Sequence, residues 1–141
     1  IDFILQAPKF ANNAGTCYLL ADRKEAVVIE IGLTKSCLRR SEEGVLVASN
    51  AFLTPMAEET KSPGPAAFGK YEFARKYFHE KRGKVDGKSM CELLSDHSVS
   101  ICSHNEINTI RSVIAKTSER RIMVADGHPC CSGFEEILVP A

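Results

Sequence analysis

The order of the predicted elements constrains the fold of this chain more than any single motif. Two segments rich in β-forming residues, Thr16 to Ala21 (TCYLLA) and Ala26 to Ile31 (AVVIEI), flank a polar connection of hairpin length. A second pair follows, Lys35 to Arg40 and Val45 to Ser49, joined at a turn that ends in Gly44, where a positive φ has no steric cost. These four segments predict an antiparallel meander that leads into Asn50.

Helical patterns occupy the middle of the chain. Aromatic residues recur at helical spacing from Ala66 to Arg82, and Gly83 is a suitable C-cap. Ser89 and Glu92 have capping-box spacing, which predicts a short helix that ends near Asp96. The polar segment Ala57 to Pro65, which contains two prolines, predicts an exposed and mobile loop before the first helix.

Extended segments return after the helices. Thr109 to Ala115 and Arg121 to Ala125 predict a hairpin, and Phe134 to Val139 predicts a further strand. The order contains no alternation of strand, helix and strand, which a parallel sheet would require. We therefore predict an α+β fold with antiparallel sheets and two helices, in a single domain that spans residues 1–141.

Charge and hydropathy exclude several classes of partner. Eighteen basic and eighteen acidic residues cancel, so no net charge favours nucleic acid or an anionic membrane. The apolar stretches are shorter than the roughly 20 residues of a membrane span, and no signal-peptide pattern opens the chain. These observations predict a soluble cytoplasmic protein without nucleic-acid or membrane partners, whose six cysteines are reduced structural thiols.

Asn50, in VLVASNAFLTP, is the main candidate for a catalytic residue. An asparagine at a strand end commonly caps a turn. Its N–H can instead stabilise an oxyanion, which is worth about 3 kcal/mol in an acyl-transfer enzyme. The residues alone leave both roles open, because the second role requires a nucleophile nearby.

Other polar residues offer weaker alternatives. Cys102 with His104 could form a nucleophilic pair, and Asp96 with His97 could form an acid/base dyad or a plain helix cap. The junction before Cys17 could be a self-cleavage site, although a structural thiol is the simpler interpretation. His128 lies beside Cys130 and Cys131, but no C-x-x-C pair accompanies them, so we predict no metal site. Nucleotide-binding and α/β-hydrolase motifs are absent, and we predict no cofactor.

Taken in order, five segments resemble the isopenicillin N acyltransferase family of N-terminal-nucleophile (Ntn) hydrolases, which is related to the choloylglycine hydrolases. They are NNAGTCYLLADRKEAVVIEIG, VLVASNAFLTP, LLSDHSVSICSHN, TIRSVIAKTSERRIMVADGHPC and FEEI. The resemblance extends from about Asn13 to Ile137, and its D-H, S-I-C and G-x-P-C motifs are specific in combination. It implies that the chain is the C-terminal part of an αββα sandwich.

The resemblance also implies a mechanism. Members of the family cleave their own precursor before a cysteine, whose thiol then attacks an amide or thioester while its α-amine serves as base. Asn50 matches the family's oxyanion-stabilising asparagine. The nucleophile is expected upstream of Ile1, in a segment or second chain of the same protein, and an arginine that some members carry after S-I-C has no match between Ser103 and Ile110.

Two functions are therefore expected. The first is a cysteine amidohydrolase or acyltransferase that acts on a small N-acyl amide or thioester. The second is a non-catalytic binding or assembly module that has lost or never had the nucleophile. Half a sandwich leaves an apolar sheet face, which would pair with an upstream segment, a partner chain or a second copy.

Overall fold

The computed structural model of this protein describes residues 15–22, 24–59, 65–105 and 107–138. The chain falls into two compact units, Ile1–His79 and Glu80–Ala141. Among the described residues, each unit contains one three-stranded antiparallel sheet, which confirms the predicted α+β class. No helix in these ranges has the length and apolar character that crossing a membrane requires.

The first sheet has the order β1-β2-β3, formed by Thr16–Ala21, Ala26–Ile31 and Ser36–Arg40. The first hairpin has the predicted bounds. Its turn is closed locally, since the Asp22 carboxylate accepts hydrogen bonds from the backbone N–H groups of Lys24 (2.7 Å) and Glu25 (2.9 Å). The central strand β2 is buried on both faces from Val27 onward and forms the centre of the core.

The second predicted hairpin is wrong. β3 pairs with β2, whereas Val45–Ser49 forms no strand, and only a single bridge joins Glu42 to Val45 across the turn. Gly44 has the expected positive φ of 78°. Beyond the bridge, side chains hold the backbone instead of a ladder: Arg39 donates to the Val47 carbonyl at 3.1 Å and Ser49 donates to the Ala67 carbonyl at 3.2 Å.

Two helices follow in this unit. A single helical turn, α1 (Met56–Glu59), occupies the start of the segment predicted as an exposed loop, so that prediction is wrong there, and residues 60–64 lie outside the described residues. Helix α2 (Pro65–Glu80) confirms the predicted amphipathic helix, and Gly83 beyond it has a φ of 72°. Ala74 is buried, but Phe68 is 43% exposed although it belongs to the predicted apolar face.

The second unit begins with α3 (Gly87–Leu94). Its N-cap is Asp86 and not the predicted Ser89, which occupies the third helical position and completes a capping box. The Asp86 carboxylate accepts from the Ser89 N–H at 2.8 Å, and the Ser89 hydroxyl accepts from the Asp86 N–H at 2.8 Å. A Cβ on Gly87 would lie 3.4 Å from Lys116 and 3.5 Å from Met123, so the first turn approaches the second sheet closely.

The second sheet has the order β4-β5-β6, formed by Arg111–Lys116, Arg121–Asp126 and Glu135–Leu138. The three predicted strands are present with bounds shifted by one or two residues, and residue 139 lies outside the described residues. One face of β4 buries Ser112 and Ile114. The opposite face of the sheet is apolar and exposed, since Val113 of β4 and Ile137 of β6 are each 53% accessible. The short helix α4 (Pro129–Ser132) connects β5 to β6.

Candidate functional site

The segment that carries Asn50 is fixed by a buried carboxylate on β2. Glu30 has no solvent exposure, and its side chain forms an ion pair with Arg39 at 2.7 Å. The same carboxylate accepts hydrogen bonds from the backbone N–H groups of Leu53 and Thr54, each at 3.0 Å, and from the Thr54 hydroxyl at 2.8 Å. Glu30 therefore anchors the chain three to four residues after Asn50.

The backbone on either side of Asn50 is also fixed. The Ser49 hydroxyl accepts from the Ala51 N–H at 3.1 Å, which forms a turn around Asn50. Ala51 and Phe52 are buried, whereas Asn50 itself is exposed. The Asn50 amide makes no hydrogen bond to any residue that the structure describes. Ser49, and not Asn50, therefore supplies the side chain that closes this turn.

Cys17, the candidate for a self-cleavage junction, lies within β1 and pairs with Glu30 in the register of the sheet. Burial, followed by the nearby Glu30 carboxylate, raises the pKa of the Cys17 thiol, while Arg39 acts in the opposite direction. Because the thiolate is the nucleophilic form, a raised pKa disfavours reactivity. The geometry supports the structural role for this thiol.

A cleft of about 190 Å³ lies between α2 and the segment that precedes Asn50. Its lining includes Val47, Tyr71, Arg75 and His79. The charged groups around it have carboxylate neighbours, including Glu72 at 4.0 Å from Arg75 and Glu43 at 3.8 Å from His79. The cleft therefore has no excess of positive charge that would select an anionic ligand.

A second group of reactive side chains forms in the other unit, where β4 begins and β5 ends. The register pairs Arg111 with Asp126, so the loop that enters β4 and the loop that leaves β5 lie at the same end of the sheet. The Gly127 N–H donates to the Ile110 carbonyl at 2.9 Å and ties the two loops together. This topology brings Cys102 and His104 next to Cys130.

We call this group the Cys/His cluster, and it consists of His97, Cys102, His104 and Cys130. One donor atom from each side chain lies within 4.8 Å of the others. Cys102 Sγ is 3.6 Å from both His104 Nε2 and Cys130 Sγ, and His104 Nε2 is 3.2 Å from Cys130 Sγ. Cys102 is 2% exposed, while the other three members are exposed.

Local hydrogen bonds position the loop of the cluster. The Cys102 N–H donates to the Asp96 carbonyl at 2.8 Å, and the Asp96 carboxylate accepts from the Ser98 N–H at 2.8 Å. Ser103 and Thr109 exchange two hydrogen bonds, each at 2.9 Å. The Asp96 carboxylate thus caps the turn after α3, which supports the capping role over the acid/base dyad with His97.

Two histidine rings pack against His104. His97 lies edge to face, with ring centroids 5.1 Å apart, and His128 stacks at 3.8 Å with an interplanar angle of 10°. Loss of water around the ring, followed by the proximity of His128 and His97, lowers the pKa of His104 and favours its neutral form. His128 Nε2 is buried and has no hydrogen-bond partner among the described residues.

The thiols of the cluster are weak candidates for a nucleophile. Cys102 and His104 are close together as a nucleophilic pair requires, but burial of Cys102 keeps a substrate away from its sulfur. The hydrogen bond with Cys131, followed by desolvation and the contact with Cys102, raises the pKa of Cys130 to about 12. The thiol form of Cys130 therefore predominates at neutral pH.

The sequence analysis named these cysteines and histidines but predicted no metal site. That prediction rested on local spacing, because no C-x-x-C pair is present. The predicted hairpin between Thr109 and Ala125 could have indicated the cluster. The segments before and after an antiparallel hairpin meet at one end of the sheet, so residues on its two sides can lie close together. Cys102 and Cys130 are 28 residues apart in sequence and in contact in space.

No protein-family model matches this sequence, and no curated protein shows significant similarity to it.

Proposed function

We propose that this chain is the C-terminal part of a cytoplasmic cysteine amidohydrolase or acyltransferase of the Ntn class, in which Asn50 donates a hydrogen bond to the oxyanion. The observation that carries the proposal is the presentation of Asn50, an exposed amide without a partner among the described residues, in a turn that Ser49 and Glu30 fix. A fixed backbone turn limits the positions that the Asn50 amide can take, which favours a donor placed before the reaction. The ordered motifs from Asn13 to Ile137 add independent support.

The proposed reaction begins at a cysteine upstream of Ile1. The thiol transfers its proton to the cysteine's own α-amine and the sulfur attacks the acyl carbon, which places a negative charge on the acyl oxygen. The Asn50 N–H stabilises this oxyanion. The intermediate then collapses to a thioester, and the leaving amine receives the proton from the α-ammonium group. Water or an acceptor amine releases the acyl group and regenerates the thiol.

The two antiparallel sheets are of the kind that such an enzyme requires, and in the proposed enzyme they belong to an αββα sandwich. The substrate class is a small N-acyl amide or thioester. Neither a cofactor nor a metal takes part in these proposed steps.

The test uses the full-length protein that contains this chain and its upstream segment, assayed on a panel of small N-acyl amides. Asn50→Asp preserves shape but removes both N–H donors, so we expect kcat to fall by about 100- to 1,000-fold with little change in KM. Asn105→Asp, the same exchange at another exposed asparagine, is the matched control and should retain activity. Full activity of Asn50→Asp would refute the role of Asn50.

A second candidate function is a non-catalytic assembly module that pairs with a second copy of itself. The exposed apolar face of the second sheet favours this function, and the zero net charge means that two copies do not repel each other. Light scattering should then detect a dimer that Val113→Lys dissociates and Leu33→Lys, at an exposed turn of the first unit, does not. A wild-type protein that stays monomeric at high concentration would contradict it.

A further inference from the structure

The donor atoms of the Cys/His cluster have the spacing of a tetrahedral metal site. Zinc binds cysteine sulfur at about 2.3 Å and histidine nitrogen at about 2.0–2.1 Å, so a regular tetrahedron separates two sulfurs by about 3.8 Å and sulfur from nitrogen by about 3.6 Å. The observed separations are 3.6 Å between the sulfurs of Cys102 and Cys130, and 3.6 and 3.2 Å from these sulfurs to His104 Nε2. Three donors thus already outline one face of a tetrahedron.

We propose that His97, Cys102, His104 and Cys130 bind a zinc ion. The fourth donor, His97, lies within 4.8 Å of the others, so a small rotation of its exposed side chain completes the tetrahedron. Two sulfur and two nitrogen donors in this geometry favour zinc over the hard cations, which prefer oxygen. Binding displaces one proton from each thiol, and the resulting site of two thiolates, two neutral imidazoles and Zn²⁺ has no net charge.

The role of this zinc is structural. Four protein ligands leave no open position for water or substrate, which is the difference between a structural and a catalytic zinc site. The ion would join the loop that enters β4 to helix α4, which follows β5, and so fasten the open end of the β4-β5 hairpin. The proposal concerns residues that the proposed acyl-transfer mechanism does not use, and neither depends on the other.

The geometry favours a metal over a disulfide between Cys102 and Cys130. A disulfide requires the sulfurs at about 2.05 Å, whereas they lie 3.6 Å apart with His104 Nε2 in contact with both. A disulfide would also leave the two histidines without a role, although they converge on the same point. A single zinc ion explains both the 3.6 Å separation of the two sulfurs and the position of the two histidines beside them.

The test measures metal binding directly. Zinc in the full chain, purified without chelator under reducing conditions, is quantified by elemental analysis, and Co²⁺ is then titrated into the metal-free protein. We expect one zinc per chain, a cobalt spectrum with the visible bands of a tetrahedral site and a thiolate charge-transfer band. Cys130→Ser and His104→Asn should weaken binding by more than the roughly 10- to 100-fold that loss of an outer-shell partner costs.

Cys131→Ser is the matched control. Its sulfur lies 3.3 Å from Cys130 Sγ but outside the cluster, so this variant should retain the stoichiometry and the cobalt spectrum. Cys130 and His104 are exposed, so their variants should fold, and circular dichroism checks this. The proposal is overturned if the wild-type chain binds neither zinc nor tetrahedral cobalt, if Cys131→Ser abolishes binding as Cys130→Ser does, or if the native protein contains a Cys102–Cys130 disulfide.

Discussion

The segment around Asn50 and the Cys/His cluster are held by different kinds of chemistry. Glu30 and Arg39 fix the first with short, charge-assisted hydrogen bonds that satisfy the buried carboxylate. The second brings thiols and imidazoles together, and thiols are weak hydrogen-bond donors. Near it, the buried His128 Nε2 has no partner among the described residues.

In the first region, the polar groups of the protein satisfy one another with hydrogen bonds. In the second region, the sulfur and nitrogen atoms lie close together but form only weak hydrogen bonds with one another. The first region fixes the backbone turn that carries the exposed Asn50 amide, and it does so without any added group. In the second region, the proposed zinc ion would give the sulfur and nitrogen atoms strong interactions that they do not make with one another. The predictions below test this contrast through the Glu30 carboxylate and the proposed ion, and a last prediction concerns the Asp86 carboxylate that caps α3.

Removal of the Glu30 carboxylate should have the largest effect. Glu30→Ala leaves the Arg39 guanidinium, which is only 18% exposed, and two backbone N–H groups without their acceptor. Breaking a buried ion pair in this way lowers the free energy of unfolding by about 3–5 kcal/mol, measured by urea denaturation. Glu25→Ala is the control, because the pair of Glu25 with Arg40 is exposed and worth about 1 kcal/mol or less. Equal losses in the two variants would contradict the anchoring role of Glu30.

Metal removal should act on the second region alone. If zinc is present at 100 times its dissociation constant, its loss lowers stability by about 2.7 kcal/mol. Hydrogen exchange after chelation should show faster exchange at the Cys102 and Gly127 amides, whose hydrogen bonds join the loops of the cluster. The Leu53 and Thr54 amides, held by Glu30, are internal controls and should not change. Faster exchange at all four amides would contradict a local role for the ion.

Local chemistry explains which elements could be predicted from the sequence. β1 and β2 have their predicted bounds because β-forming residues flank a turn that Asp22 closes within three residues. Helix α2 was likewise predictable, because its spacing and Gly83 are local signals. The fold class followed from the order of these elements, while membership of an αββα sandwich stays a prediction.

Interactions distant in sequence explain what could not be predicted. The Val45–Ser49 segment has strand propensity, but the Arg39 side chain donates to its Val47 carbonyl and the Ser49 hydroxyl donates to the distant Ala67 carbonyl. The spacing of Ser89 and Glu92 predicts an N-cap three residues too late, because Ser89 is the third helical residue of a capping box that begins at Asp86. The oxyanion role of Asn50 stays a proposal, because it depends on a nucleophile that the family resemblance implies upstream of Ile1.

The smallest expected effect concerns Asp86, the exposed carboxylate that caps α3 in the second unit. Hydrogen bonds from the Ser89 N–H and hydroxyl lower the pKa of Asp86. The carboxylate form is therefore preferred in the folded state, and its stabilising contribution is fully present above the unfolded pKa of about 4 and is lost as pH falls through the lower folded pKa. Asp86→Ala should destabilise the chain slightly at pH 7, and the difference from wild type in urea denaturation should shrink below about pH 4.

Ser41→Ala, at an exposed turn of the first unit, is the control and should leave the pH dependence unchanged. A difference between Asp86→Ala and wild type that stays constant down to the most acidic pH would show that the charge of Asp86 does not contribute to the cap.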